Sequence, residues 1–140
     1  MNSVSVDQQI ARIAATIGRE YKPRQVILFG SYARGEPTKN SDIDLFIIKE
    51  TTANRVDRFV QVKRIIYDPH LRIPVSPLVY TPEEVEKRLN MGDAFVQEII
   101  REGKVLYEVD RKKTRQMLKI ATEFVAKLRA GLRDQVNREI

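Results

Sequence analysis

The stretch that most constrains this fold is Val26-Ile-Leu-Phe-Gly-Ser31, followed ten residues later by Ser41-Asp-Ile-Asp44-Leu-Phe-Ile-Ile48. Both segments are apolar runs of strand length. The first stops at Gly30-Ser31, and the second carries two aspartates in alternation. Successive strand residues point to opposite faces, so Asp42 and Asp44 share a face with one residue between them. Two carboxylates side by side, with no basic residue between them, repel each other, and a hard divalent cation relieves that repulsion. A Gly-Ser turn at a strand end offers backbone N–H groups and a hydroxyl to an anionic phosphate. Metal on one strand and phosphate on the neighbouring turn is a layout for Mg²⁺-nucleotide chemistry.

The rest of the chain reads as alternating helices and strands. Val6, Ile10, Ile13, Ala14 and Ile17 recur at helical spacing, predicting a helix over about 6–20. Val56, Phe59, Val60, Val62, Lys63, Ile66 and Tyr67 predict a second helix from about 54 to 68, ended by Asp68-Pro69. Ile73–Tyr80 reads as an edge strand, because Pro74 and Pro77 each remove a ladder donor. Thr81-Pro-Glu-Glu84 is a helix start, with Thr81 as N-cap and Glu84 at the capping-box position. A further helix over about 93–102 closes at Gly103, and Val105–Tyr107 is a short final strand. Met117, Ala121, Phe124, Val125, Leu128, Leu132 and Val136 then form an apolar stripe of helical period. The expected fold is α/β (α+β): a small mixed sheet with helices on one side, plus a C-terminal helix. The domain reading is a body at 1–108 and a basic amphipathic extension at 109–140.

Composition excludes several classes. The chain has 140 residues, one domain by length, and no cysteine, so it forms no disulfide and no thiolate zinc site. Its N-terminus lacks a signal-peptide pattern, and no apolar run approaches the roughly 20 residues of a membrane span. The expected location is the cytoplasm, with no membrane partner. From Glu108 onward nine basic side chains face five acidic ones, so most of the +6 net charge lies in the last quarter. Nucleic-acid binding by this tail is the weakest reading, since charges flanking an apolar stripe describe a solvated helix face.

The motif resembles that of the DNA polymerase β-like nucleotidyltransferases, and most closely the long form GSxARGxxxxxSDxDL of the minimal nucleotidyltransferases. Gly30, Ser31, Ala33, Arg34, Gly35, Ser41, Asp42, Asp44 and Leu45 match it. The likeness extends more loosely to Tyr80-Thr-Pro-Glu-Glu84 and Gly103-Lys-Val-Leu-Tyr107. The resemblance implies a polymerase-β-like fold in which Asp42 and Asp44 are catalytic and hold Mg²⁺. It further implies that Gly30, Ser31, Arg34 and Ser41 bind a nucleoside triphosphate, ATP by expectation. The implied reaction moves AMP to a hydroxyl of a protein or small molecule. It also implies a helical HEPN-type partner, as in toxin–antitoxin pairs; the C-terminal apolar stripe is expected to pack back on its own sheet, or else to dock that partner or a second copy of this chain.

One position departs from the pattern. The family's third carboxylate falls on the strand before the Thr-Pro-Glu helix start, and counting back from Thr81 that position is Ser76. A serine supplies no charge at neutral pH, so the alternative reading is a catalytically impaired nucleotide-binding module or antitoxin-like partner. Glu83 and Glu84 are the nearby carboxylates in sequence. His70 reads as a solvated loop residue, and Tyr32 as packing, a base-stacking group or a nucleotide acceptor.

Overall fold

The computed structural model describes residues 5–109 together with 119, 120, 123 and 126–131. Helix α1 (Val6–Tyr21) starts at a Ser5–Gln8 capping box and ends with Lys22 in the left-handed region. Strands β1 (Gln25–Phe29) and β2 (Ile43–Ile48) follow, then α2 (Arg55–Ile65), β3 (Val75–Tyr80), α3 (Pro82–Asn90), α4 (Ala94–Glu102) and β4 (Lys104–Glu108). The sheet order is β3-β2-β1-β4. β1 runs antiparallel to β2 and β4, while β2 and β3 are parallel, so the sheet is mixed as expected.

Every central strand is apolar on both sides, and this decides where the helices go. Val26, Leu28, Ile43, Leu45 and Ile47 pack with Ile10, Ile13 and Ile17 of α1 and Val62 of α2. Ile27, Phe46 and Ile48 point the other way, against Val85 and Leu89 of α3 and Val96, Ile99 and Ile100 of α4. Where the sequence reading put the helices on one side, α1 and α2 cover one face and α3 and α4 the other. Asp44 has the parity of Phe46 and Ile48, so it faces the α3/α4 side.

Helix α2 also differs in detail. Its expected apolar stripe is mostly outside, with Val56 and Tyr67 at 70% and 78% exposure. Of that stripe Val62 and Ile66 are buried, and Arg58, which lies outside the expected stripe, is buried with them. The guanidinium of Arg58 decides the rotation: it donates to Ala53 O at 2.7 Å, Val79 O at 3.3 Å and Glu84 Oε1 at 2.6 Å. Glu84 meanwhile accepts from Thr81 N at 2.8 Å and closes the capping box predicted for α3. Lys63 Nζ donates to Val75 O at 3.0 Å on the outer side of β3.

Ile120 and Leu128 are exposed and lie in helical segments. The expected stripe residues Met117, Ala121, Phe124, Val125, Leu132 and Val136 lie outside the described residues. Among those residues, no helix is long and apolar enough to cross a membrane.

Candidate active site

The C-terminal end of β1 and the N-terminal ends of β2 and β3 meet at one corner of the sheet, and this is where the motif residues converge. β1 ends at Phe29, directly opposite Asp44. Gly30 then turns the chain with φ +77°. The turn 31–35 is closed by Arg34 N on Gly30 O at 3.2 Å and Glu36 N on Ser31 O at 3.0 Å. Among the described residues, the N–H groups of Ser31, Tyr32 and Ala33 have no backbone acceptor. Such a row of free donors is the kind of cradle an anion occupies.

Gly30 is glycine for a second reason. A Cβ built there would overlap Asp44 Oδ2 and approach Asp44 Cγ to 3.2 Å. The phosphate-type turn and the aspartate are therefore in direct packing contact. Gly35, at φ +71°, has open space around it.

Asp42 is exposed, one residue before β2, and Asp44 is half-buried. Burial pushes the Asp44 carboxyl above its ordinary value, the negative charge of Asp42 pushes it further, and Arg34 partly offsets both. These influences place Asp42 and Arg34 close enough to Asp44 to act on it. The site thus holds a mutually repelling carboxylate pair, the donor set expected to hold a cation, within the electrostatic reach of Arg34. Mg²⁺ is typically held by one or two carboxylates plus substrate phosphates and water, and the pair fits that requirement. Among the described residues no cluster of three or more His, Cys, Asp or Glu side chains is grouped to hold a metal.

The absence of a third carboxylate has a definite location. Ser76 is the parallel-strand partner of Asp44, on the same face, and its side chain is exposed. Neither nearby glutamate replaces it. Thr81 follows the far end of β3, five residues and roughly 16 Å away along an extended strand. Burial tends to raise the Glu84 carboxyl, but hydrogen bonds from Thr81 and Arg58 outweigh it and hold the group below its ordinary value. Glu84 is occupied structurally, and Glu83 is an exposed first-turn residue of α3.

The remaining predicted residues separate cleanly. Ser41 Oγ accepts from Thr38 N at 2.7 Å and lies 3.0 Å from Thr38 Oγ1, so it ties the loop that leads into Asp42. Tyr32 is partly buried and packs against the α1/α2 core. His70 is exposed and lines a cleft of about 520 Å³ between α1 and the loop after α2. That cleft shares no residue with the corner. A smaller cavity of about 180 Å³ does join it, bounded by Phe29, Gly30, Arg34 and the α4 residues Phe95, Glu98 and Glu102. The α4 wall was missed from sequence; its one signal is the spacing of Phe95, Glu98 and Glu102 along a single helix face.

Comparison with known proteins decides the family. The family described as "Polymerase beta, Nucleotidyltransferase" matches residues 11–112, the span from α1 through β4 that builds the corner. The chain belongs to the polymerase beta nucleotidyltransferase family. A candidate protein adenylyltransferase of Methanocaldococcus jannaschii, MJ0604, is 29% identical to this nucleotidyltransferase over 103 residues, which are 72% of this chain and 97% of that protein. A second from the same organism, MJ1305, is 33% identical over 88 residues, 61% of this chain and 58% of that protein. A crystal structure of a toxin–antitoxin with AMP-PNP aligns with a TM-score of 0.59 at 16% identity, covering 91% of this chain and 96% of that one. At that identity it supports the polymerase-β-like fold of the nucleotidyltransferase.

Proposed function

We propose that this chain transfers AMP from Mg²⁺-ATP to an acceptor oxygen on a protein or small molecule. The observation that carries the reading is the contact between Gly30 and Asp44, which joins an anion-binding turn to a carboxylate pair in one corner. Asp42 and Asp44 would hold Mg²⁺, whose chemistry when bound is to neutralise charge on the triphosphate. The free N–H groups after Gly30, with the Ser31 hydroxyl, receive the terminal phosphates. Arg34, whose charge acts on Asp44, would contact a further phosphate oxygen, and Ser41 holds the loop in shape. The resemblance to candidate adenylyltransferases supports AMP as the group moved.

A second reading has an observation of its own. With Ser76 beside Asp44, the chain would bind Mg²⁺-ATP without turnover, as a sensing or neutralising module. In either case residues 1–108 carry the site and 109–140 form a separate basic extension. That extension would dock a helical partner of HEPN type or a second copy of the chain; the toxin–antitoxin neighbour supports a partner. The lack of cysteine suits a cytoplasmic setting.

Calorimetric titration of ATP with and without Mg²⁺, against an Asp42→Asn/Asp44→Asn double variant, tests the site. Magnesium-dependent binding that disappears in the variant is expected. Equal binding by both proteins, or by neither, would sink the reading.

A further inference from the structure

The cleft between α1 and the loop after α2 lies on the α1/α2 side of the sheet, whereas Asp44 faces α3 and α4, so the cleft takes no part in the chemistry of the corner. Its volume of about 520 Å³ falls within the roughly 300–1,000 Å³ of small-molecule sites. Two segments form it. Arg12, Ile13 and Thr16 recur at helical spacing, so a single face of α1 makes one wall. Across from it α2 ends with Ile66 as its C-cap, and the loop from Tyr67 to Leu71 makes the other. Pro69 prevents the helix from continuing, and the Asp68 carboxylate accepts from His70 N at 2.9 Å, which holds the loop in a turn. The floor is apolar: Ile13 and Ile66 are buried members of the core cluster, and Leu71 packs on it. The rim is not. Arg12 and His70 are exposed side chains that line the cleft, and no ion pair holds Arg12 among the described residues. The ring of Tyr67 lines it too and is mostly exposed.

From this combination we infer that the cleft binds a small ligand carrying both a flat ring and a phosphate, of the nucleoside monophosphate class, at a site separate from the corner. Each part of such a ligand meets a group suited to it. The guanidinium of Arg12 is a planar fork of donors that matches phosphate oxygens, and the His70 imidazole adds a further N–H. The ring of Tyr67 offers a face for stacking, and the isoleucine floor takes apolar surface out of water. The Asp68 carboxylate has acceptor sites beyond the one that His70 N occupies, and these receive a sugar hydroxyl. A bare phosphate would use the cation at the rim and leave most of the cleft to water. A bare nucleoside would use the floor and leave Arg12 unanswered. Arg12 supplies the positive charge that Mg²⁺ would supply at the corner, so binding here is expected without the metal. The inference goes beyond the proposed function and does not rest on it.

The test adds AMP to the full, isotopically labelled chain without Mg²⁺, following backbone amide signals by NMR and heats by calorimetry. Amide shifts are expected along α1 around Arg12 and Ile13 and in the loop from Tyr67 to Leu71, with Ser31 and Arg34 at the corner unmoved. Arg12→Ala and Tyr67→Ala change exposed side chains, and the spread of their amide signals reports that they fold. Each should weaken AMP by about tenfold or more, the first through the lost charged hydrogen bonds and the second through the lost stacking. Adenosine and inorganic phosphate, the two halves of the probe, should each bind at least about tenfold more weakly than AMP. Shifts confined to Ser31–Arg34 would place AMP at the corner and overturn the inference. Absence of AMP binding overturns it too, as does binding that both variants leave intact. Inorganic phosphate or adenosine matching AMP would refute the two-part ligand. Loss of Mg²⁺-ATP binding at the corner bears on the proposed function alone, because AMP binding in the cleft is read separately and without the metal.

Discussion

Replacing Gly30 by alanine tests whether turn and aspartate are coupled, because Gly35 provides a matched control five residues further along the chain. Both glycines sit at nearly the same positive φ, +77° and +71°. Both alanine variants therefore incur the left-handed penalty of roughly 1–2 kcal/mol. The gain from restricting the unfolded chain, about 0.4–1 kcal/mol, offsets part of it. Gly35→Ala meets nothing else, so a net loss of about 1 kcal/mol is expected. Gly30→Ala additionally drives a methyl into the Asp44 carboxylate, and overpacking of this kind costs about 1–3 kcal/mol more. For a chain of this size a kcal/mol corresponds to about 3–5 °C in Tm, giving expected losses near ~4 °C for Gly35→Ala and ~10 °C for Gly30→Ala. Thermal denaturation followed by circular dichroism reads both. The second arm is a double-mutant cycle: Asp44→Ala in the Gly30→Ala background removes the overlap and should recover about 1–3 kcal/mol. Mg²⁺-ATP affinity should fall sharply in Gly30→Ala and stay near native in Gly35→Ala. Equal losses in the two single variants, with no recovery in the cycle, would refute the idea that the turn is built against Asp44.

Other expectations concern charge. Asp44→Asn should abolish Mg²⁺-ATP binding yet raise the Tm of the ligand-free protein at pH 7. Burial and Asp42 raise the Asp44 carboxyl, so its ionised form opposes folding at neutral pH and that opposition fades as pH falls through the raised value; the Tm difference should shrink with it. Arg58→Ala strands Glu84 and the Ala53 and Val79 carbonyls, at a cost of about 2–4 kcal/mol, below the fully buried range because Glu84 keeps some access to water. The sign for Glu84 is opposite to that for Asp44. Its folded value is depressed, so its contribution is complete above its unfolded value and is lost as pH falls through the lower folded one. Denaturation midpoints of native and Arg58→Ala proteins should therefore converge in acid. Arg34→Ala should weaken Mg²⁺-ATP about 10- to 150-fold by calorimetry, since a hydrogen bond to a charged group contributes about 1.5–3 kcal/mol.

Local signals carried most of the fold and their limits are equally local. Ile43–Ile48 and the Thr81–Glu84 capping box were readable because each is fixed by neighbours in sequence: an apolar run in one case, a reciprocal pair of hydrogen bonds in the other. The orientation of α2 was not readable. Val56 and Phe59 outnumber Val62 as apolar candidates, but Arg58 has three partners on other segments and sets which side turns inward. The two-sided covering of the sheet was hidden similarly, since an unbroken apolar strand does not say how many layers lie against it. At the site, fixed spacing gave Gly30, Ser31, Asp42, Asp44 and the exceptional Ser76. Spacing alone could not bring Phe95, Glu98 and Glu102 next to Gly30, because that adjacency comes from how α4 packs on the sheet.

The outer side of β3 has a consequence for assembly. A terminal strand ordinarily exposes a comb of donors and acceptors onto which another chain can add itself. In β3 the Val75 carbonyl is taken by Lys63, the Val79 carbonyl by Arg58, and Pro77 between them has no N–H to offer. The comb is missing teeth at three successive outward positions. Strand addition is disfavoured at this edge, so a companion protein, or a second copy of this chain, would meet β3 through side chains, while β4 is the sheet's other edge.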